Sequence, residues 1–76
     1  MELNEFVEKF AEQFDDTDPS EIKADTRFRD LDEWSSLIGL SVISMVDEEF
    51  DVLLKGEDMR AAHTPAELFN IIQSKL

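Results

Sequence analysis

Two adjacent serines, Ser35 and Ser36, stand where a long apolar helical pattern begins. They are the side chains best placed for covalent chemistry. The chain has no cysteine, so it offers neither a disulfide nor a thiolate metal site. A serine that acts as a nucleophile in its own enzyme needs a base and a group that orients the base. The sole histidine, His63, lies just before the last helical segment and reads as a surface residue beside a helix cap. The only glycines, Gly39 and Gly56, leave no room for a phosphate-cradling loop. Asp16 and Asp18 have the spacing of early calcium ligands, but a calcium loop counted from Asp16 has Glu21 where the turn glycine belongs and Arg27 where the bidentate glutamate belongs. The remaining carboxylates read as solvated helix faces. The expectation is a chain that is not an enzyme and holds no metal. A serine at a helix start suits a different role. The first turn exposes unpaired N–H groups and the positive end of the helix dipole, which favour an attached anion. Capping accounts for one serine and is assigned to Ser35, which leaves the Ser36 hydroxyl without that task. Ser41 and Ser44 fall inside the helix and are poorer candidates.

Helices must position these serines. Leu3, Phe6, Val7, Phe10, Ala11 and Phe14 recur at helical spacing, and the pattern stops at Asp15-Asp16-Thr17. Asp18-Pro19-Ser20-Glu21 reads as a short helical turn, with Asp18 as N-cap, Pro19 first and Glu21 as reciprocal capping partner. Ile22, Phe28 and Leu31 are the expected inward anchors of a long connection, and a loop of that length has a purpose or packing of its own. The second helix is predicted from about Ser36 to Phe50. Leu37, Leu40, Ile43, Val46 and Phe50 form its expected inward stripe, and Ile38, Val42 and Met45 form a second stripe. A helix apolar over so much of its circumference is deeply buried or shared between core and partner. Gly39 within it costs about 1 kcal/mol relative to Ala. Lys55-Gly56-Glu57-Asp58 breaks this helix, and 57–62 is predicted as a short third one. Thr64 as N-cap, Pro65 at the first position and Glu67 three residues after Thr64 start the last helix, whose apolar face is Leu68, Phe69, Ile71, Ile72 and Leu76. No strand pattern, repeat or low-complexity segment is found. The expected fold is a single all-α domain over residues 1–76: a four-helix bundle of three principal helices plus one short one, with a long first loop.

Seven Lys and Arg against nineteen Asp and Glu give the chain of 76 residues a net charge of −12. That balance argues against nucleic acid and against an anionic membrane surface, since both need cations. It fits a protein steered toward basic surfaces on other proteins. The chain has no apolar run long enough to span a membrane. The acidic, interrupted start Met1-Glu2-Leu3-Asn4-Glu5 is not a secretory signal, so a cytoplasmic protein is expected.

The most informative stretch is Leu31-Asp32-Glu33-Trp34-Ser35-Ser36-Leu37, followed by Val46-Asp47-Glu48-Glu49-Phe50-Asp51. It resembles the acyl carrier protein family, whose attachment motif is Asp-Ser-Leu at the start of the second helix, a helix that closes on an acidic run and Phe. Ser36-Leu37 takes the Ser-Leu position and Glu48-Glu49-Phe50-Asp51 the closing position at the family's spacing. The resemblance covers nearly the whole chain. It implies the acyl-carrier arrangement of the bundle, and it implies that a phosphopantetheinyl transferase moves phosphopantetheine from coenzyme A onto the Ser36 hydroxyl. The arm would supply the thiol that the chain lacks. Acyl groups would ride on it as thioesters to separate enzymes of fatty-acid, polyketide or related lipid metabolism.

In this reading Ser36 is the covalent site. Leu37, Ile38, Val42 and Met45 are expected to contact partners or the acyl chain, while Asp47, Glu48 and Asp51 meet basic residues on partner enzymes. The chain departs from the family in three places. Ser35 replaces the motif's Asp, Ile38 and Ser41 stand where many members carry acids, and Trp34 precedes the serines. Trp34 is expected to anchor the loop's end to the bundle. Two alternatives share the fold: an aminoacyl, peptidyl or D-alanyl carrier, and an unmodified interaction module using the acidic second helix only for docking. Peptidyl carriers commonly approach the serine through glycines, and residues 31–35 contain none. Nothing in the sequence demands more than a monomer.

Overall fold

In the computed structural model, which describes residues 2–76, the chain opens with α1 (Leu3–Ala11). The Glu5 carboxylate accepts the Glu2 N–H at 3.2 Å, and Glu5 in the first turn with Lys9 in the last suits the helix dipole. The helix ends before its apolar pattern does. The N–H groups of Gln13 and Phe14 bond three residues back, to Phe10 and Ala11, which tightens the chain into a turn. Phe14 therefore reaches the core from outside the helix, yet is buried.

The long connection contains two 3₁₀ turns, Pro19–Glu21 and Phe28–Asp30. Asp18 caps the first by accepting the Ser20 N–H at 2.9 Å, while the Glu21 N–H goes to the Asp18 carbonyl. Ile22 and Phe28 are buried as expected and Leu31 is half-buried. The connection is tied to the far side of the molecule as well. Phe28 N–H donates to the His63 carbonyl, Ala66 N–H to the Ala24 carbonyl, and the Arg29 guanidinium to the carbonyls of Met59 and Arg60 at 2.8 and 3.3 Å. Those last two carbonyls lie at the C-terminal end of α3 (Gly56–Ala61), where a cation is favoured.

The longest helix, α2 (Ser36–Phe50), stops at Asp51, which adopts the left-handed conformation with φ 57° and ψ 38°. The short α3 starts one residue earlier than its sequence pattern, with Lys55 N–H held by the Asp58 carboxylate at 2.9 Å. The last helix, α4 (Pro65–Ser74), starts where Thr64 and Pro65 place it. The Thr64 hydroxyl accepts the Glu67 N–H at 3.2 Å, but the Glu67 carboxylate reaches past Thr64 to the His63 N–H at 2.8 Å. The result is a compact all-α domain of four helices, three of them substantial, with no strand among the described residues. Among the described residues no helix is long and apolar enough to cross a membrane.

The core is built around a row of aromatic rings. Phe6 packs against Phe69 of α4 at 5.5 Å and Phe50 of α2 at 5.9 Å, and Phe10 against Phe28 at 5.3 Å; Phe28 meets Trp34 at 4.8 Å. Tilted and edge-on contacts of this kind add to the stabilisation from area burial. With Phe14 close to Trp34 and Phe6 to Phe50, α1 runs antiparallel to α2. The row joins the base of the bundle to the start of α2.

That packing corrects the expected faces of α2. Val42 is 0% exposed and Met45 7%, so these two expected partner contacts belong to the core. Leu37 and Leu40, both placed in the expected inward stripe, are 76% and 60% exposed, which for Leu37 suits its other expected role as a partner contact. Ile38 and Ile43 are half-buried against the core, Val46 is buried and Phe50 partly buried. The helix carries apolar side chains nearly all round, so periodicity alone does not choose the inward face. In the first turn the Trp34 indole lies over Gly39, and the face that carries Gly39, Val42 and Val46 is the buried one.

Candidate functional site

The start of α2 is prepared by the residues before it. The Glu33 carboxylate gathers three consecutive backbone N–H groups, those of Asp15 at 2.7 Å, Asp16 at 3.0 Å and Thr17 at 2.8 Å, together with the Thr17 hydroxyl at 2.6 Å. These bonds, the Thr17 hydroxyl foremost, hold the Glu33 carboxyl below its ordinary range. They fasten the turn after α1 to the segment leading into α2. Next, Trp34 packs on Phe28 and faces Gly39, and its backbone N–H donates to the Leu31 carbonyl at 3.0 Å. The expected role of Trp34 as the loop's anchor is met.

Ser35 is the N-cap. Its backbone is extended and its hydroxyl accepts the Ile38 N–H at 3.4 Å, a long bond, while its carbonyl takes the Gly39 N–H at 3.0 Å. Ser36 is the first helical residue; it is exposed, and among the described residues its hydroxyl makes no hydrogen bond. The two serines thus divide as expected, one closing the helix and the other presenting a hydroxyl to solvent. The first turn of α2 carries no acidic side chain, so nothing there opposes an anion at the helix end.

Below the serines α2 divides by charge. From Ser36 to Val46 it has no charged residue, and its exposed side chains are Ser36, Leu37, Leu40, Ser41 and Ser44. From Asp47 to Asp51 it has four acids, of which Glu49 pairs with Lys9 of α1 at 3.3 Å. Asp47, Glu48 and Asp51 are exposed, as their expected role requires. The leucines on this surface are Leu37 and Leu40. The sequence marked both as apolar but did not show that they form the exposed stripe. His63 is exposed beside the cap of α4, its Nδ1 3.2 Å from Glu67 Oε1. The backbone N–H of His63, and then its imidazole, lower the Glu67 pKa. No protein-family model, no curated protein and no solved structure matches this chain.

Proposed function

We propose that this chain is a discrete acyl carrier protein, bearing phosphopantetheine on Ser36 and passing thioester-bound acyl groups between separate enzymes. The observation that carries the reading is the division of labour at the start of α2: Ser35 caps the helix, and Ser36 offers an unbonded, exposed hydroxyl at its positive end. Three principal helices, a short α3 and a long first loop are consistent with the acyl-carrier arrangement that the Ser36-Leu37 to Glu48-Glu49-Phe50 resemblance implies. Loading joins Ser36 Oγ to the phosphorus of coenzyme A that bears the pantetheine. The pyrophosphate P–O bond breaks, adenosine bisphosphate leaves, and the serine proton passes to a base of the transferase. The partners of the loaded form are acyl-processing enzymes with basic surfaces, which the exposed acids at the end of α2 suit.

The test is intact mass after incubation with coenzyme A and a broad-specificity phosphopantetheinyl transferase. The expected result is the gain of one phosphopantetheine, mapped to Ser36 by fragmentation. Ser36→Ala should abolish the gain with the fold retained. Ser35→Ala should still load, at a cost in stability of about 0.5–2 kcal/mol, toward the lower end because the cap bond is long. A folded chain that gains no mass with several transferases overturns the proposal and favours the unmodified docking module, with Ser35 in place of an acid as its cause.

A further inference from the structure

A groove of about 550 Å³ runs between α1 and α2, starting at Leu37 beside Ser36 and reaching Glu48 and Glu49. Glu48 lies eleven helical steps beyond Leu37, a rise of about 16 Å. That length is comparable to an extended pantetheine chain. The lining changes along the way. Next to Ser36 it is apolar, with Leu37 and Leu40 largely exposed. One and two turns further it is hydroxylic, with Ser41 and Ser44 on α2 and, in the turn after α1, the Gln13 amide, whose Nε2 donates to the Lys9 carbonyl at 3.1 Å. Met45 belongs to the lining and the Lys9–Glu49 ion pair stands at the far end. Three carboxylates, Glu12, Glu48 and Glu49, against the one ammonium of Lys9 make the groove hostile to an anion. Its leucines, hydroxyls and amide suit an uncharged, elongated occupant that is apolar near Ser36 and amide-bearing beyond.

We infer that this groove is the resting site of the pantetheine arm, with its branched methyl groups against Leu37 and Leu40 and its two amides beside Ser41, Ser44 and Gln13. The inference rests on the carrier reading of Ser36. The order of groups along the arm is the order of the lining: after the phosphate come a carbon bearing two methyls, then a hydroxyl, then two amides, then the thiol. The phosphate stays at the helix N-terminus, clear of the three carboxylates. The arm lies on the surface of the bundle and leaves the aromatic core closed.

The experiment compares loaded chains, with loading verified by intact mass. Nuclear Overhauser contacts are expected between the arm's methyls and those of Leu37 and Leu40, with amide shift changes on loading at Gln13, Ser41 and Ser44. The thiol should react with iodoacetamide about threefold more slowly than in free pantetheine, corresponding to a groove filled about two-thirds of the time. Ser44→Phe, an exposed position outside the core, fills the groove and should restore the faster rate; the chain's negative field acts on both proteins, so their difference reads occupancy. A loaded chain whose shift changes stop at the neighbours of Ser36, or whose thiol reacts equally fast with and without Ser44→Phe, overturns the groove site and leaves the carrier reading standing. Because the contacts are read on the unsubstituted chain, the test survives a variant that misfolds. Failure to load at all overturns the carrier reading first and the groove with it.

Discussion

Replacing Gly39 by Ala is expected to stabilise the protein, and the magnitude follows from its surroundings. Gly39 lies within α2 at a negative-φ helical position, so the substitution brings no backbone strain. A Cβ built there would sit 3.6 Å from both Cζ2 and Cη2 of Trp34, an ordinary van der Waals distance. The helix gains about 0.8–1 kcal/mol from the propensity difference between Gly and Ala. For a domain of this size each 1 kcal/mol moves the melting temperature by about 4–8 °C. Gly39→Ala should therefore melt about 3–8 °C higher by circular dichroism, with unchanged tryptophan emission. Gly39→Leu should do the opposite. Its side chain has no space under the indole, so Trp34 must leave Phe28, the melting temperature should fall and the emission shift to the red. A Gly39→Ala protein that melts lower, or whose emission shifts, would show that the seat under Trp34 is full and that this account of the first turn of α2 is wrong.

The swapped faces of α2 give a second contrast. Val42→Ala should lower stability by about 1–3 kcal/mol in a denaturant titration, whereas Leu40→Ala should change it by less than about 0.5 kcal/mol; equal losses would restore Leu40 to the core. Asp51→Gly should raise the melting temperature, because the C-cap is left-handed and Gly adopts that conformation without a Cβ penalty. Glu33 should make stability fall in acid. Its folded pKa lies below the ordinary value of 4.5, so its contribution is complete above that value and is lost as pH falls through the folded one. Melting temperatures from pH 6 downward should therefore drop less for Glu33→Gln than for the natural chain, and parallel curves would refute the role assigned to its hydrogen bonds.

The helices were legible in the sequence because their signals are local. Pro65 after Thr64, with Glu67 three residues on, fixes the start of α4 by chemistry within a single turn, and the phenylalanines of α1 repeat at a spacing that only a helix puts on one side. The inward face of α2 was not legible for the converse reason. Leu37, Ile38, Leu40, Val42, Ile43, Met45 and Val46 surround the helix, and transfer of any of them from water is favourable. Their rotation about the helix axis is decided by what they meet, Trp34 over Gly39 included. The places of Ser35 and Ser36 at the start of α2 were legible because a helix start and its cap are readable from neighbours in the chain.

Glu33 shows most clearly what such reading misses. In the sequence it is one of nineteen acids, with nothing at helical spacing to distinguish it. In the fold it accepts from backbone 16 to 18 residues away, at distances expected of charge-assisted bonds. Backbone donors carry no residue code, so no pattern of types announces them. Yet Glu33 and Trp34 act in sequence: the carboxylate fixes the turn after α1 to the loop, and the indole fixes the loop to α2, before the chain arrives at Ser35 and Ser36. The proposed loading of Ser36 needs that hydroxyl in one place on a small domain with no disulfide to hold it. Here the holding is done two and three residues upstream, which leaves the first turn of α2 free of acidic side chains and Ser36 itself free of internal partners.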